Sequence, residues 1–174
     1  MTQIAYTQRA CHDQERITDF LRTQRVGVLG LHTDDYPYPV PVNYVWHNDA
    51  VYFHGVGSGR KGELLQQAPK VGFTVFVEHG TVTARVACHA DTAYLCVMVF
   101  GTAQQVTDPA EAADALQALV DKLTPGYYRS TITARMIERY RSGTGGNPVA
   151  VFRITPDLVT AKENTATADE LFTI

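Results

Sequence analysis

Residues 36–65 constrain the fold of this chain more than any other stretch. They read YPYPVPVNYVWHNDAVYFHGVGSGRKGELL. Two runs rich in β-branched and aromatic side chains, residues 39–47 and 50–54, are separated by Asn48-Asp49, a pair that favours a tight turn. This pattern predicts a β-hairpin. The stretch that follows, residues 55–59, is too rich in glycine to form a regular helix or strand.

The glycine-rich stretch at residues 55–59 indicates a phosphate-binding turn. Glycines let backbone N–H groups approach an anion closely, and a helix N-terminus favours negative charge there. Arg60 and Lys61 open the next segment, residues 62–67, which ends at Ala68-Pro69, and two adjacent cations add charge-assisted hydrogen bonds. The stretch is not a Walker A loop, because GxxxxGK[ST] is absent, and its literal GxGxxG match lacks a longer helix and a parallel crossover. A plain turn followed by solvated cations is the alternative interpretation.

The rest of the chain predicts an antiparallel β protein with helices on the outside. Short, tightly linked strands can close into a barrel, which removes exposed edges. We therefore predict a mainly β fold, a β-barrel with flanking helices, in a single domain 1–174. Further strands are predicted at 26–31, 71–77, 95–106 and 149–154, and helices at 14–23, after Asp108-Pro109 and at 133–141. Residues 79–91 are expected to form a loop or an excursion, and the tail from Asp157 is expected to be polar and mobile.

The strand at residues 95–100 is apolar on both faces. One face can fill the barrel, and the other needs a second cover, either a helix or a partner chain.

Composition restricts the classes of partner. The net charge of −3 and the pI near 6.0 give no field that attracts nucleic acid or an anionic membrane. No apolar run is long enough to span a bilayer, and the N-terminus lacks a signal-peptide core, so a cytoplasmic location is expected. The three cysteines are far apart and form no CxxC motif, which argues against a disulfide framework or a metal site.

Three phrases together resemble a known family. PYPVPVNYVW followed by VYFHG, the Ser58-Gly59-Arg60-Lys61 turn, and YLCVMVFG at residues 94–101 are similar to the FMN-binding split barrel of the pyridoxamine 5'-phosphate oxidase-like superfamily. The match is closest to its nitroimidazole-reductase (Nim-type) branch and covers about residues 25–155. The resemblance implies a homodimer with FMN at the subunit interface. It also implies an FMN-dependent oxidoreductase that acts on a small molecule, with reduction of nitroaromatic or nitroimidazole compounds as the branch's activity.

The resemblance also assigns site residues. Arg60 and Lys61 match the pair that grips the FMN phosphate, and Ser58 matches a nearby hydroxyl, with Gly59 as an extra residue. His54 matches a histidine close to the reactive face of the flavin, where it could deliver a proton. The remaining flavin contacts are expected from Phe53 at the end of the second strand and from the backbone of Val40, Pro41, Val42 and Asn43.

One departure and three alternatives stand beside this interpretation. The chain ends AKENTATADELFTI and lacks the basic, aromatic C-terminal segment of true pyridoxamine 5'-phosphate oxidases, so that activity is not assigned. A haem-binding relative could use His54 as an axial ligand, and a deazaflavin enzyme would use a similar basic turn. A non-catalytic flavin-binding module is the third alternative.

Overall fold

The computed structural model describes residues 5–67, 69–143 and 145–173. Their strands form a closed antiparallel barrel in the order β1-β2-β3-β6-β5-β4, which confirms the predicted fold class. The strands are β1 Val26–Leu31, β2 Tyr38–His47, β3 Ala50–Val56, β4 Lys70–Val82, β5 Asp91–Gln105 and β6 Val149–Asn164. The helices are α1 Gln14–Thr23, α2 Arg60–Gln67, α3 Pro109–Leu123 and α4 Ala134–Arg139.

The predicted hairpin joins β2 to β3. Both turn residues, Asn48 and Asp49, have positive φ values of 48° and 56°. A two-residue turn with two left-handed residues matches the right-handed twist of the strands on either side, and asparagine and aspartate tolerate that conformation. His47 therefore pairs directly with Ala50.

Alternation along the strands separates two apolar clusters. On β3, Val51 and Phe53 point into the barrel, whereas Ala50 and Tyr52 belong to a second cluster beneath α3. The helix α3 carries an apolar stripe that includes Ala112, Ala115 and Leu119, and it buries that stripe on the outer face of the barrel. The same alternation places His54, the residue after Phe53, outside the barrel, on the side that α3 covers.

Two predictions about the later strands are wrong. The polar tail expected from Asp157 is instead the second half of β6, which pairs with β5 as far as Asn164. The ladder shifts register at Phe100/Gly101, opposite Pro156, and the strand then resumes with Ala161 buried. The bulge conceals the strand in the sequence, because the proline and the shifted alternation interrupt the period of two. Likewise β4 runs to Val82, well into the segment expected to be a loop.

The helix predictions hold more closely. The side chain of Asp13 caps α1 by accepting a hydrogen bond from the Arg16 amide, and Asp108 caps α3 with Pro109 as its first residue. The helix α4 ends at Arg139, two residues earlier than predicted. Ala68, where the sequence predicts the end of α2, lies outside the described residues. Within the described part of the chain, no helix is long and apolar enough to cross a membrane.

Candidate functional site

The barrel opens where β2 and β3 part. Their ladder covers four pairs and ends at Tyr44–Phe53, so the first half of β2, from Tyr38 to Asn43, pairs with β1 alone. Beyond Phe53, β3 continues toward α2 while paired only with β6. The side of β2 that faces this opening therefore carries unpaired backbone groups, a ready site for a planar polar ligand.

The prolines of β2 agree with this open edge. Pro39 and Pro41 are exposed and lie opposite Gly30 and Val28 of β1. Because proline has no N–H group, it belongs at an edge and not in a ladder position that requires a donor. The carbonyl groups of both prolines therefore face the opening, together with the backbone of Asn43, the next residue of the same alternation. The amide side chain of Asn43 donates to the carbonyl of Arg25, at 3.1 Å, and so secures the strand end.

Glycines shape the turn between β3 and α2. Gly59 has a φ of +84°, which a residue with a side chain rarely adopts. A Cβ at Gly62 would come within 2.1 Å of the Gly57 carbonyl oxygen, so the turn can fold over the first turn of α2 only with glycine there. Helix geometry leaves the first N–H groups of α2 without intrahelical partners, and they face this turn. The result is a compact cradle of the kind that binds anions.

Lys61 brings a half-buried positive charge to the cradle. Its Nζ lies 5.7 Å from the centre of the Phe53 ring, and a Cβ added at Gly55 would come within 2.6 Å of that atom. Burial lowers the pKa of Lys61 below its ordinary value. Among the described residues no carboxylate forms an ion pair with it. A half-buried ammonium without a counter-ion fits an anionic group such as a phosphate.

Arg60 points away from Lys61. Its guanidinium lies 4.8 Å from the centre of the Tyr38 ring, a cation–π contact. It lines a cavity of about 430 Å³ that also contains Asp34 and Asp35. Two carboxylates in the same cavity reduce the attraction of Arg60 for a phosphate. Arg60 and Lys61 are predicted from the sequence to bind the phosphate together, but the structure places their charged groups in different surroundings.

Ser58 and Phe53 contribute in different ways. Ser58 is exposed and lines a cavity of about 270 Å³ with Gln105 and Asn147, separate from the cavity that Arg60 lines. Phe53 is 1% exposed and its ring stacks on Phe152 inside the barrel, with centroids 5.3 Å apart. Only the backbone of Phe53 can therefore face a bound ligand.

His54 lies outside the barrel at the edge of an apolar pocket. The α3–α4 pocket has a volume of about 390 Å³, in the range of small-molecule sites. Its walls come from α3, from the segment that follows it and from β6; they include Leu116, Leu119, Leu123, Tyr128, Met136, Tyr140 and Val149. Although His54 is exposed, these apolar neighbours lower its pKa, and the charge of Lys61 lowers it further. Both effects favour the neutral imidazole.

The walls of this pocket are absent from the sequence prediction. The sequence predicts a helix after Asp108-Pro109 and a second helix at 133–141, but no cavity between them. The available signal is a run of large apolar residues in a segment too short to bury them: α4 has no buried residue, and Tyr128 and Met136 are at least half exposed.

Among the described residues, no three His, Cys, Asp or Glu side chains are arranged to hold a metal ion.

Comparison with known protein families identifies the family of this chain. The family model described as pyridoxamine 5'-phosphate oxidase matches residues 13–163, most of the chain. The chain belongs to this pyridoxamine 5'-phosphate oxidase-like family. The match includes β1 to β5, all but the last residue of β6, and the glycine-rich turn. No curated protein matches the sequence significantly.

Solved structures with the same fold support the assignment. The flavocytochrome Anf3 from Azotobacter vinelandii is 26% identical, with a TM-score of 0.79 over 94% of this chain and 73% of its own. An FAD and heme binding protein from Mycobacterium smegmatis is 22% identical, with a TM-score of 0.73 over 93% and 78%. A candidate 5-nitroimidazole antibiotic resistance protein from Bacteroides thetaiotaomicron is 22% identical, with a TM-score of 0.68 over 88% and 85%. Flavin-binding members are thus prominent among the similar folds.

Proposed function

We propose that this protein is a flavin-dependent oxidoreductase that holds FMN at the opening between β2 and β3. One observation carries the proposal: Lys61 is a half-buried ammonium without a carboxylate partner among the described residues, beside a glycine cradle at a helix N-terminus. The FMN phosphate would supply the missing negative charge. The unpaired edge of β2 begins within reach of the same helix, because Arg60 of α2 stacks on Tyr38.

A bound flavin supplies the redox chemistry, and the chain supplies binding, orientation and proton handling. Lys61 and the first N–H groups of α2 hold the phosphate. The carbonyl groups of Pro39 and Pro41 and the backbone of Asn43 orient a polar ring edge along β2. His54 holds a proton at a ring nitrogen beside the reacting atoms, while the apolar walls of the α3–α4 pocket exclude water. A nitroaromatic ring suits such a pocket, and the Nim-type resemblance supports that substrate.

The decisive experiment separates the phosphate from the ring of the flavin. Replacing Lys61→Ala should weaken FMN binding about tenfold to a hundredfold, because a charge-assisted hydrogen bond contributes about 1.5–3 kcal/mol. Riboflavin, which lacks the phosphate, should bind both proteins equally. Arg60→Ala should have a smaller effect, since Arg60 lines a cavity that also contains Asp34 and Asp35. Quenching of flavin fluorescence gives the affinities.

A matched control is Lys70→Ala, which removes an exposed lysine at the start of β4. It should leave FMN affinity unchanged. Equal losses of FMN and riboflavin affinity in Lys61→Ala would show that Lys61 does not hold the phosphate. Absence of any saturable flavin binding by the wild-type protein would overturn the proposal itself.

The same proposal includes a homodimer with FMN at the interface. The outward faces of β1, β4 and β5 carry a continuous apolar surface, formed by Val26, Val28, Phe76, Met98 and Phe100, each at least 40% exposed. None of these residues belongs to either buried cluster in the described chain. An apolar sheet face of this kind is typical of a subunit interface.

Haem binding is a second candidate, favoured by the surroundings of His54. A neutral imidazole at the edge of an apolar pocket is the form that binds haem iron. Two similar folds are named as a flavocytochrome and as an FAD and heme binding protein. Titration with haemin should then give a histidine-type Soret band in the wild-type protein and in Lys61→Ala, but not in His54→Ala. Identical spectra for wild type and His54→Ala would exclude His54 as the ligand.

A further inference from the structure

Four arginines are next in sequence to residues that line the α3–α4 pocket. The segment from Tyr127 to Arg141 contains four arginines and a single glutamate, in a chain whose net charge is −3. Each arginine is adjacent in sequence to a residue that lines the pocket: Arg129 follows Tyr128, Arg135 precedes Met136, and Arg139 and Arg141 flank Tyr140. All four are exposed, and none forms an ion pair with a carboxylate of the described chain.

The Arg141 side chain is held against the C-terminal end of α4. Its Nη1 donates to the carbonyl of Glu138 at 3.1 Å and to the carbonyl of Tyr140 at 2.6 Å. These bonds place the guanidinium beside Tyr140, a residue of the pocket wall. A guanidinium has five N–H donors, so Arg141 keeps donors for a further acceptor. Arg139, which precedes Tyr140, forms no ion pair within the described chain that would compete for an anion.

The apolar walls need a ligand of matching character. Tyr128, Met136 and Tyr140 are each about half exposed, so the pocket presents more apolar surface than the protein itself covers. Water alone would leave that surface unburied, and a ring or chain of carbon atoms would cover it. A purely apolar ligand, however, would leave the arginines without a role.

We propose that the α3–α4 pocket binds a small molecule that combines an apolar ring with an acidic group, and that Arg139 and Arg141 pair with the acid. The apolar part lies against the walls from α3 and α4, and the acid lies at the rim, in solvent. This proposal rests on the proposed function in one respect: His54, at the edge of the same pocket, would make such a molecule the substrate. The binding itself requires no flavin.

Two fluorescent probes test the proposal, since they share a skeleton and differ in charge. 1-Anilinonaphthalene-8-sulfonate carries a sulfonate, and N-phenyl-1-naphthylamine is its neutral counterpart. The wild-type protein should bind the anionic probe more tightly, by about tenfold at low salt, and the difference should shrink as salt is added. Arg139→Gln and Arg141→Gln should each reduce that preference about threefold, as expected for exposed charge pairs, and together should abolish it.

Three controls keep the outcome interpretable. Arg85→Gln, at an exposed arginine before β5, should leave both affinities unchanged. Tyr140→Ala should weaken both probes and so locate them in the pocket. Lys61→Ala should lose FMN affinity but keep probe binding, so that failure of the flavin proposal and failure of this one remain distinct. Equal wild-type affinities for the two probes, or no effect of Tyr140→Ala on either probe, would overturn the proposal.

Discussion

His54 shows how one residue can connect two parts of a site. It is placed outside the barrel by the strand alternation that puts Phe53 inside, and it stands between the cation of Lys61 and the apolar α3–α4 pocket. Both neighbours disfavour the imidazolium form, burial more than the lysine. A phosphate bound at Lys61 would cancel the second effect. The protonation of His54 should therefore report on occupancy of the anion cradle.

The pKa of His54 gives a direct prediction. In the free protein its NMR titration midpoint should lie below the ordinary value of 6.5. Lys61→Met should raise the midpoint yet leave it below 6.5, because burial, the larger cause, remains. Adding FMN to the wild-type protein should raise it as well. A midpoint that Lys61→Met does not move would show that the two side chains are not electrostatically coupled.

The same histidine predicts the pH dependence of catalysis. Reduction of a nitroaromatic by chemically reduced holoenzyme should slow as pH rises through the pKa of His54, because the protonated donor disappears. His54→Ala should react about a hundredfold more slowly, the usual size of a general-acid contribution, and should lose that pH dependence. FMN affinity should be nearly unchanged. An unaltered pH profile in the variant would mean that His54 delivers no proton.

At the scale of elements, Lys122 connects α3 to the barrel. Its Nζ donates to the carbonyl of Tyr44 on β2 at 3.2 Å and to that of Leu21 on α1 at 3.4 Å, and it lies 4.1 Å from the centre of the Tyr44 ring. These contacts fix the C-terminal end of the helix that forms one wall of the α3–α4 pocket. The arrangement requires a charged group beside the core, and burial, with a smaller effect from Arg25, lowers its pKa to about 8.

This shift predicts how stability depends on pH. Between about pH 8 and the ordinary lysine pKa of 10.5, the unfolded chain binds more protons than the folded one, so the free energy of unfolding rises with pH. From pH 7.5 to 9.5 the rise should be about 1 kcal/mol after allowing for partial exposure. Lys122→Met should lack that increment in urea denaturation at the two pH values. Parallel changes in both proteins would contradict the lowered pKa.

Which elements the sequence could predict depends on how local their causes are. The hairpin at Asn48-Asp49 and the caps of α1 and α3 follow from turn and capping chemistry within a few residues, and the structure confirms them. The second half of β6 depends on pairing with β5 across a bulge at Gly101, where a Cβ would lie 2.2 Å from the Thr155 carbonyl oxygen. That constraint comes from another strand, so periodicity alone could not show it.

The candidate site divides in the same way. The sequence could predict the glycines and cations of the turn as an anion cradle, because such a cradle is built from consecutive residues. It could not predict that the side chains of Arg60 and Lys61 diverge, since that depends on Tyr38 of β2 and on Gly55 of β3. The α3–α4 pocket likewise needs two helices and two strands that are distant in sequence. Residue roles carried over from the family remain predictions until flavin binding is measured.

At the scale of the whole molecule, the two faces of β5 have different surroundings. Leu95, Val97 and Val99 fill the barrel, whereas Met98 and Phe100 point outward, as the two-sided apolar pattern indicated. Across the sheet, Met98 lies beside Thr74, which in turn pairs with Val28 of β1. The α3 side of the barrel is covered by the chain itself. The β1-β4-β5 side keeps its apolar residues exposed in the single chain, so we expect a second molecule to bury them.

A second copy of the chain should cover that surface. Light scattering at micromolar concentration should give a dimer, and the double substitution Phe76→Glu and Met98→Glu should give a folded monomer, because four carboxylates would face one another across a two-fold interface. If FMN lies at that interface, its affinity should fall in the monomer while circular dichroism stays unchanged. Tyr127→Glu, at an aromatic residue outside this face that is more exposed than Phe76, should remain dimeric. A wild-type monomer with FMN fully bound would refute both the dimer and the shared site.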